Sequence, residues 1–309
     1  MSLIIQITRR KRTRIYSIML RKSSITDIRG INPNTIGNRS RKIKHSELTK
    51  VSTEDPALLQ RLAAENGVVQ ITSPPSCPAK FSEFLSTLGP LMFTEGETPV
   101  EGHPLLNVVT NVNRKTRPKS VFHSDTSYIS RPPSFSALFA VDVPKKGGAT
   151  IFTDQYRVFD TLRYDIRSLL AGAMVLHGAT GVPDKRSQWH PIIRRNPITK
   201  RSALYLTSLP RCLKLKLSDG TDRSDLIEYL YHFTLSVGQV KRHQWCAGDV
   251  ILWDNRCTLH AADHSDVVGS RTRYRGMVRG EQPRPGGTSF NSFEKTAGSM
   301  VIFHSLKQK

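Results

Sequence analysis

The chain has 309 residues, 38% of them hydrophobic, and a formal net charge of +21 at pH 7. That length buries a sizeable core as one large domain or two small ones. No stretch approaches the roughly 18 apolar residues of a membrane span, so the composition argues against a membrane protein. The charge points instead to an anionic partner or substrate, or to a targeting segment.

Residues 1–46 carry 12 Lys/Arg against one acid, Asp27, with Ser and Thr interspersed. This segment reads either as an organellar transit peptide or as a basic, disordered extension. We divide the chain there, into an extension of residues 1–46 and a folded domain of residues 47–309. A cytoplasmic location follows unless the extension is a mitochondrial or other organellar address. Cys77, Cys212, Cys246 and Cys257 are scattered without a C-x-x-C pair, which suggests neither a zinc knuckle nor a disulfide framework.

Asp55-Pro56 and the following Ala/Leu run predict a capped helix that Gly67 ends, and Val68–Ile71 a short strand. A second helix is predicted over Ala79–Leu88. Strands follow over Leu105–Val112 and, between two prolines, Ser134–Val143, with a basic loop Arg114–Lys119 between them. Gly147-Gly148 turns the chain into the strand Ala149–Thr153. Apolar residues at 158, 159, 162, 166, 169 and 170 predict one amphipathic helix over Gln155–Leu170. Short strands near Ala173–Leu176 and Ala203–Leu206, a helix over Asp222–Leu235, and strands Asp249–Trp253 and Tyr274–Val278 complete the pattern. Few βαβ units occur, so the fold class is α+β, mainly β. A double-layered jelly roll with flanking helices fits best.

The chemistry starts at Val121–Tyr128. If this stretch is extended, His123 and Asp125 share a face and offer half of a 2-His-1-carboxylate iron site. The triplet alone is common, and His264-Ser265-Asp266 repeats it without a preceding apolar strand, so we read that copy as loop. His260 follows a strand and a polar turn and supplies a third candidate ligand. Eleven residues later, Arg271, Arg273 and Arg275 alternate along a strand, and arginine's planar fork suits carboxylates. His177, His232 and His243 fit no ligand pattern and read as structural.

Together these blocks resemble the taurine dioxygenase (TauD/TfdA) family of Fe(II)- and 2-oxoglutarate-dependent oxygenases. The matching residues are His123-Ser124-Asp125 with Arg131-Pro132-Pro133; Gly147-Gly148-Ala149-Thr150; His190-Pro191-Ile192-Ile193-Arg194 with Asn196-Pro197; Trp253-Asp254-Asn255-Arg256 with His260; and Arg271–Arg275. The resemblance implies a double-stranded β-helix in which His123, Asp125 and His260 bind iron. It also implies that Thr150 and Arg271 hold the distal carboxylate of 2-oxoglutarate, that Arg275 meets an anionic group of the substrate, and that Trp253 walls the pocket. O2 is the other cosubstrate, and succinate and CO2 are the coproducts. Thr94 stands near where taurine dioxygenases place a sulfonate-binding histidine, which argues against taurine itself.

The expected function is oxidation, foremost hydroxylation, of a small anionic organic molecule. Two other readings stand beside it. One is a polyanion-binding protein on a jelly-roll scaffold; the other is an iron oxygenase that tailors a biosynthetic intermediate. Interleaved aromatic–basic motifs for base stacking are missing, which disfavours nucleic acid as a partner. The sequence leaves a homo-oligomer open.

Overall fold

Asp55 accepts hydrogen bonds from the backbone N–H of Ala57 and Leu58 at 2.9 and 3.3 Å, Pro56 takes the first helical position, and Gly67, at φ 75°, ends the helix. The capped segment is α1 (Pro56–Asn66), which links β1 (Thr49–Val51) to its parallel neighbour β2 (Val68–Ile71). The computed structural model describes residues 47–52, 54–112, 120–179, 186–238 and 240–289. The basic segment 1–46 and the whole predicted loop Arg114–Lys119 lie outside them.

Next come α2 (Pro78–Thr87), β3 (Leu91–Met92), β4 (Pro99–Val100), β5 (His103–Thr110), β6 (Pro133–Asp142), β7 (Thr150–Asp154), α3 (Gln155–Thr161) and α4 (Tyr164–Leu169). After them run β8 (Met174–Gly178), β9 (Ser187–Pro191), β10 (Ile193–Arg195), β11 (Ser202–Leu204), β12 (Cys212–Lys216) and α5 (Leu226–Val237). The chain then forms β13 (Val240–His243), β14 (Val250–Asp254), β15 (Thr258–Ala262), β16 (Thr272–Arg279) and β17 (Arg284–Pro285). Among the described residues, no helix is long and apolar enough to cross a membrane.

The main sheet runs β1-β2-β14-β6-β16-β5-β4, with β3 also paired to β16. A smaller sheet, β13-β7-β15, and two further three-stranded sheets, β12-β8-β9 and β11-β10-β17, complete the architecture. Period-two alternation explains how the main sheet is covered on both faces. On β6, Phe135, Ala137 and Phe139 pack in one cluster with Leu59, Phe81 and Leu85 of α1 and α2. Leu138 and Ala140 point the other way and meet Phe152 of β7 together with Ile251 and Trp253 of β14. A strand buried on both sides reads as continuously apolar, which is why Ser134–Val143 was legible as a core strand. A third cluster joins the α3–α5 helices to β8 and β12.

Two helices depart from expectation. Gln155–Leu170 is not one helix, because Leu162 and Arg163 adopt ψ 137° and 148° and separate α3 from α4. Local polar contacts compete with the helix there: Thr161 Oγ1 donates back to the Arg157 carbonyl at 2.7 Å, and Arg163 chelates Asp165 at 3.1 and 2.7 Å. Asp222 does not begin α5. Its carboxylate accepts from the N–H and hydroxyl of Ser224 at 2.9 and 2.7 Å in a turn, so the helix starts at Leu226. Between the strands expected near Ala173–Leu176 and Ala203–Leu206, the chain also forms β9 and β10.

Gly147 is needed for its backbone. It sits at φ 75°, and a Cβ there would lie 2.6 Å from the carbonyl oxygen of Asp266. The Gly147-Gly148 turn and the loop after β15 therefore pack backbone to backbone.

Candidate metal centre and cosubstrate pocket

The centre lies between the main sheet and the β13-β7-β15 sheet. His123 and His260 face each other as an antiparallel bridge, each N–H donating to the other's carbonyl at 3.0 Å. Directly opposed residues project to the same side, and their rings stand 4.3 Å apart between centroids. Two residues on from His123, Asp125 Oδ1 lies 3.8 Å from Nε2 of each histidine. One ligand atom from each of the three falls within 4.8 Å of the others.

The donor chemistry fits a divalent metal such as iron, which two imidazoles and one carboxylate hold on one face. His123 Nδ1 sits 2.9 Å from the Val121 carbonyl, an interaction that makes Nδ1 the protonated nitrogen and leaves the Nε2 lone pair for the centre. Burial lowers the pKa of His123, and it pushes His260 down to about 3 against the opposing pull of Asp125. Burial also acts to raise Asp125, but the charges of His260, Arg275 and His123 outweigh it and hold the carboxyl below its usual range. Two neutral imidazoles and one carboxylate at neutral pH are the protonation states that a metal requires.

Asp125 is held from three sides. Ser136 Oγ, on the inward face of β6, donates to Oδ2 at 2.8 Å and itself receives a hydrogen bond from Asn255 Nδ2 at 2.7 Å. Arg275 Nη1 donates to Oδ1 at 3.1 Å, and the Asp125 N–H donates to Asn255 Oδ1 at 3.4 Å. Trp253 donates to the same Asn255 oxygen at 3.1 Å, and its ring lies 4.6 Å from that of His260. The indole is fully buried behind the ring of His260.

Arg273 and Arg275 share one face of β16, and Arg271 directly precedes the strand. Arg271 Nη2 lies 3.4 Å from His264 Nε2. Arg273 donates to the Gly148 carbonyl at 2.6 Å and stacks its guanidinium 4.3 Å from the Trp245 ring, and burial together with Arg271 pushes it down to about 9. Trp245 donates its indole N–H to Thr150 Oγ1 at 3.0 Å, leaving the Thr150 hydroxyl proton free to point at a guest. Adjacent guanidiniums beside an oriented hydroxyl suit a carboxylate.

The Taurine catabolism dioxygenase TauD, TfdA family model matches residues 27–279. The chain belongs to the TauD/TfdA family. A relative from Aspergillus oryzae, alpha-ketoglutarate-dependent dioxygenase oryG, is 28% identical over 58% of this chain and 59% of its own. The alpha-ketoglutarate-dependent 2,4-dichlorophenoxyacetate dioxygenase of Cupriavidus pinatubonensis is 31% identical over 49% of this chain and 57% of its own. In both cases the chain spans less than two thirds of the curated relative's length. Among solved structures, a taurine dioxygenase from Burkholderia xenovorans superposes with a TM-score of 0.66 at 25% identity, covering 78% of this chain and 89% of that one.

His177 is buried between the rings of His190 and Tyr205, His243 pairs with Asp249 at 2.9 Å, and His232 with Glu228 at 3.7 Å. The His264-Ser265-Asp266 copy is loop, yet His264 touches Arg271. Thr94 does reach the site: its Oγ1 lies 3.0 Å from that of Thr126, the residue after Asp125.

Sequence reasoning missed Ser136, Asn255 as a support for Asp125, Trp245 and Glu97. Ser136 carried a signal, since a serine inside an otherwise apolar buried strand must find a partner. Replacing it with alanine is expected to weaken metal binding by roughly 10- to 100-fold with the fold intact, the usual cost of losing a contact that orients a ligand. A Co(II) titration followed by absorbance checks this; an unchanged dissociation constant would show that Asn255 and Arg275 hold Asp125 without it.

Proposed function

We propose that this chain is an Fe(II)- and 2-oxoglutarate-dependent dioxygenase that hydroxylates a small anionic organic molecule. The observation that carries the reading is the convergence of His123, Asp125 and His260, one ligand atom of each within 4.8 Å of the others. The relatives' names support it, and the paired sheets around the site support a jelly-roll (double-stranded β-helix) architecture.

In this reading His123, Asp125 and His260 hold the iron, while Thr150 and Arg271 bind the distal carboxylate of 2-oxoglutarate. When bound, iron and 2-oxoglutarate supply an O2-dependent oxidation that releases succinate and CO2. The chain's own residues fix position and exclude water: Trp253 seals the back, Ser136 and Asn255 orient Asp125, and Arg275 meets the substrate's anionic group. Position governs the outcome, because a small misplacement of the C–H bond misdirects the oxidation. Residues 1–46 set location, cytoplasmic unless they act as an organellar address.

Anaerobic addition of Fe(II) and 2-oxoglutarate to the wild-type chain is expected to give a weak visible metal-to-ligand charge-transfer band, and His123→Ala to lack it. If the wild-type protein shows no band, the dioxygenase reading fails. Screening organic acids for stimulated succinate release then identifies the substrate.

A further inference from the structure

Arg275 carries more carboxylate than its position beside the metal ligands needs. Its Nη1 donates to Asp125 Oδ1 at 3.1 Å, and Glu97 Oε2 lies 2.8 Å from Nη2. The second contact is a close ion pair. Among the described residues, the buried Nε and Nη2 have no hydrogen-bond acceptor. Those two nitrogens form the side edge of a guanidinium, which binds two oxygens of one anion in parallel.

Glu97 sits on a turn tied down at both ends. Its N–H donates to the Thr94 carbonyl at 3.3 Å, Thr94 holds Thr126 at 3.0 Å, and the Thr98 carbonyl accepts from Val108 N–H at 2.8 Å. On the same turn Glu95 pairs with Arg186 at 3.2 Å. The Glu97 side chain itself is 37% exposed, against 13% for Arg275, so it can swing toward solvent while the turn stays in place.

We propose that Glu97 is a placeholder counter-ion and a specificity-determining residue: an anionic group of the substrate displaces it and takes the Nε and Nη2 hydrogens of Arg275 together. This rests on the reading of Arg275 as the substrate's anion contact. Binding is then an exchange of one anion for another. A carboxylate, sulfonate or phosphonate offers two aligned oxygens and displaces Glu97, whereas a neutral ester or sulfone leaves Glu97 on Arg275. The charge of Glu97 also joins that of Asp125 in balancing the buried guanidinium.

The test uses the full chain with methanesulfonate as the anionic probe and dimethyl sulfone as its neutral counterpart, both small enough that pocket shape does not decide. Dissociation constants are measured by ligand-observed NMR at fixed ionic strength. Glu97→Gln, an isosteric change at an exposed turn position, is expected to bind methanesulfonate about two- to fivefold more tightly than wild type, the effect of removing one partly exposed competing charge. Dimethyl sulfone is expected to bind both proteins alike. Unchanged or weaker methanesulfonate binding by Glu97→Gln overturns the proposal, as does a gain that persists in Glu97→Gln/Arg275→Gln, because the anion would then sit elsewhere. Wild-type-like anion binding by Arg275→Gln alone is a different failure, that of Arg275 as the anion contact.

Discussion

Asp125→Ala is expected to lower metal affinity by more than about 100-fold and to abolish 2-oxoglutarate turnover. Loss of an orienting contact alone costs roughly 10- to 100-fold, and this variant removes the ligand itself. Asp125 is also the one carboxylate of the three-residue set, so the site would keep two neutral imidazoles and Arg275 as its nearest charge. A cation entering there would meet a positive neighbour with no counter-charge from the ligand set. The fold is expected to survive, because Arg275 retains Glu97 at 2.8 Å. Co(II) titration with circular dichroism as a folding control measures both effects. Metal binding within about threefold of wild type would remove Asp125 from the ligand set.

The largest loss of stability is expected at Asp254, which anchors the turn before β15. Its carboxylate accepts from Arg256 Nε and Nη2 at 2.7 Å each and from Asn196 Nδ2 at 2.9 Å. Both charged partners are buried, at 0% and 3% side-chain exposure. Arg256 also faces Glu281 at 3.6 Å, and Glu281 in turn accepts from Arg194 at 2.7 Å, so one buried ion network ties β10 to the β14–β15 turn. Burial acts to lower the Arg256 pKa, but Asp254 overrides it and raises the value above the ordinary arginine range. Asp254→Ala leaves that guanidinium buried beside a distant Glu281, and breaking one partner of a buried pair costs about 3–5 kcal/mol. Urea unfolding measures this, and a loss below about 1 kcal/mol would mean that Glu281 suffices. Because His260 lies six residues on, metal affinity is expected to fall as well.

The blocks that pointed to TauD/TfdA divide between these two roles. His123, Asp125 and His260 converge at the centre, whereas His190, Arg194, Asn196, Asp254 and Arg256 mainly build the frame. Sequence alone does not separate them, because a buried structural arginine and a ligand-binding one look the same as letters. Likewise, His260 was legible as a ligand candidate, but β15 was not legible as a strand. Five residues with a histidine at the centre carry too little periodicity.

Local physics determined much in the sequence itself. The Asp55 cap, Pro56 and Gly67 set the ends of α1. Alternation along β6 and β16 put Phe135 and Tyr274 on the helix side and Ser136, Arg273 and Arg275 on the other. These signals act over a few residues, so a single stretch contains them. Long-range pairing decided the rest. The His123–His260 bridge joins residues 137 positions apart, and the Asp125–Arg275 contact spans 150. Glu97 on Arg275 had no signal in the sequence, since a turn carboxylate is ordinarily a solvated charge until a distant strand brings a cation beneath it.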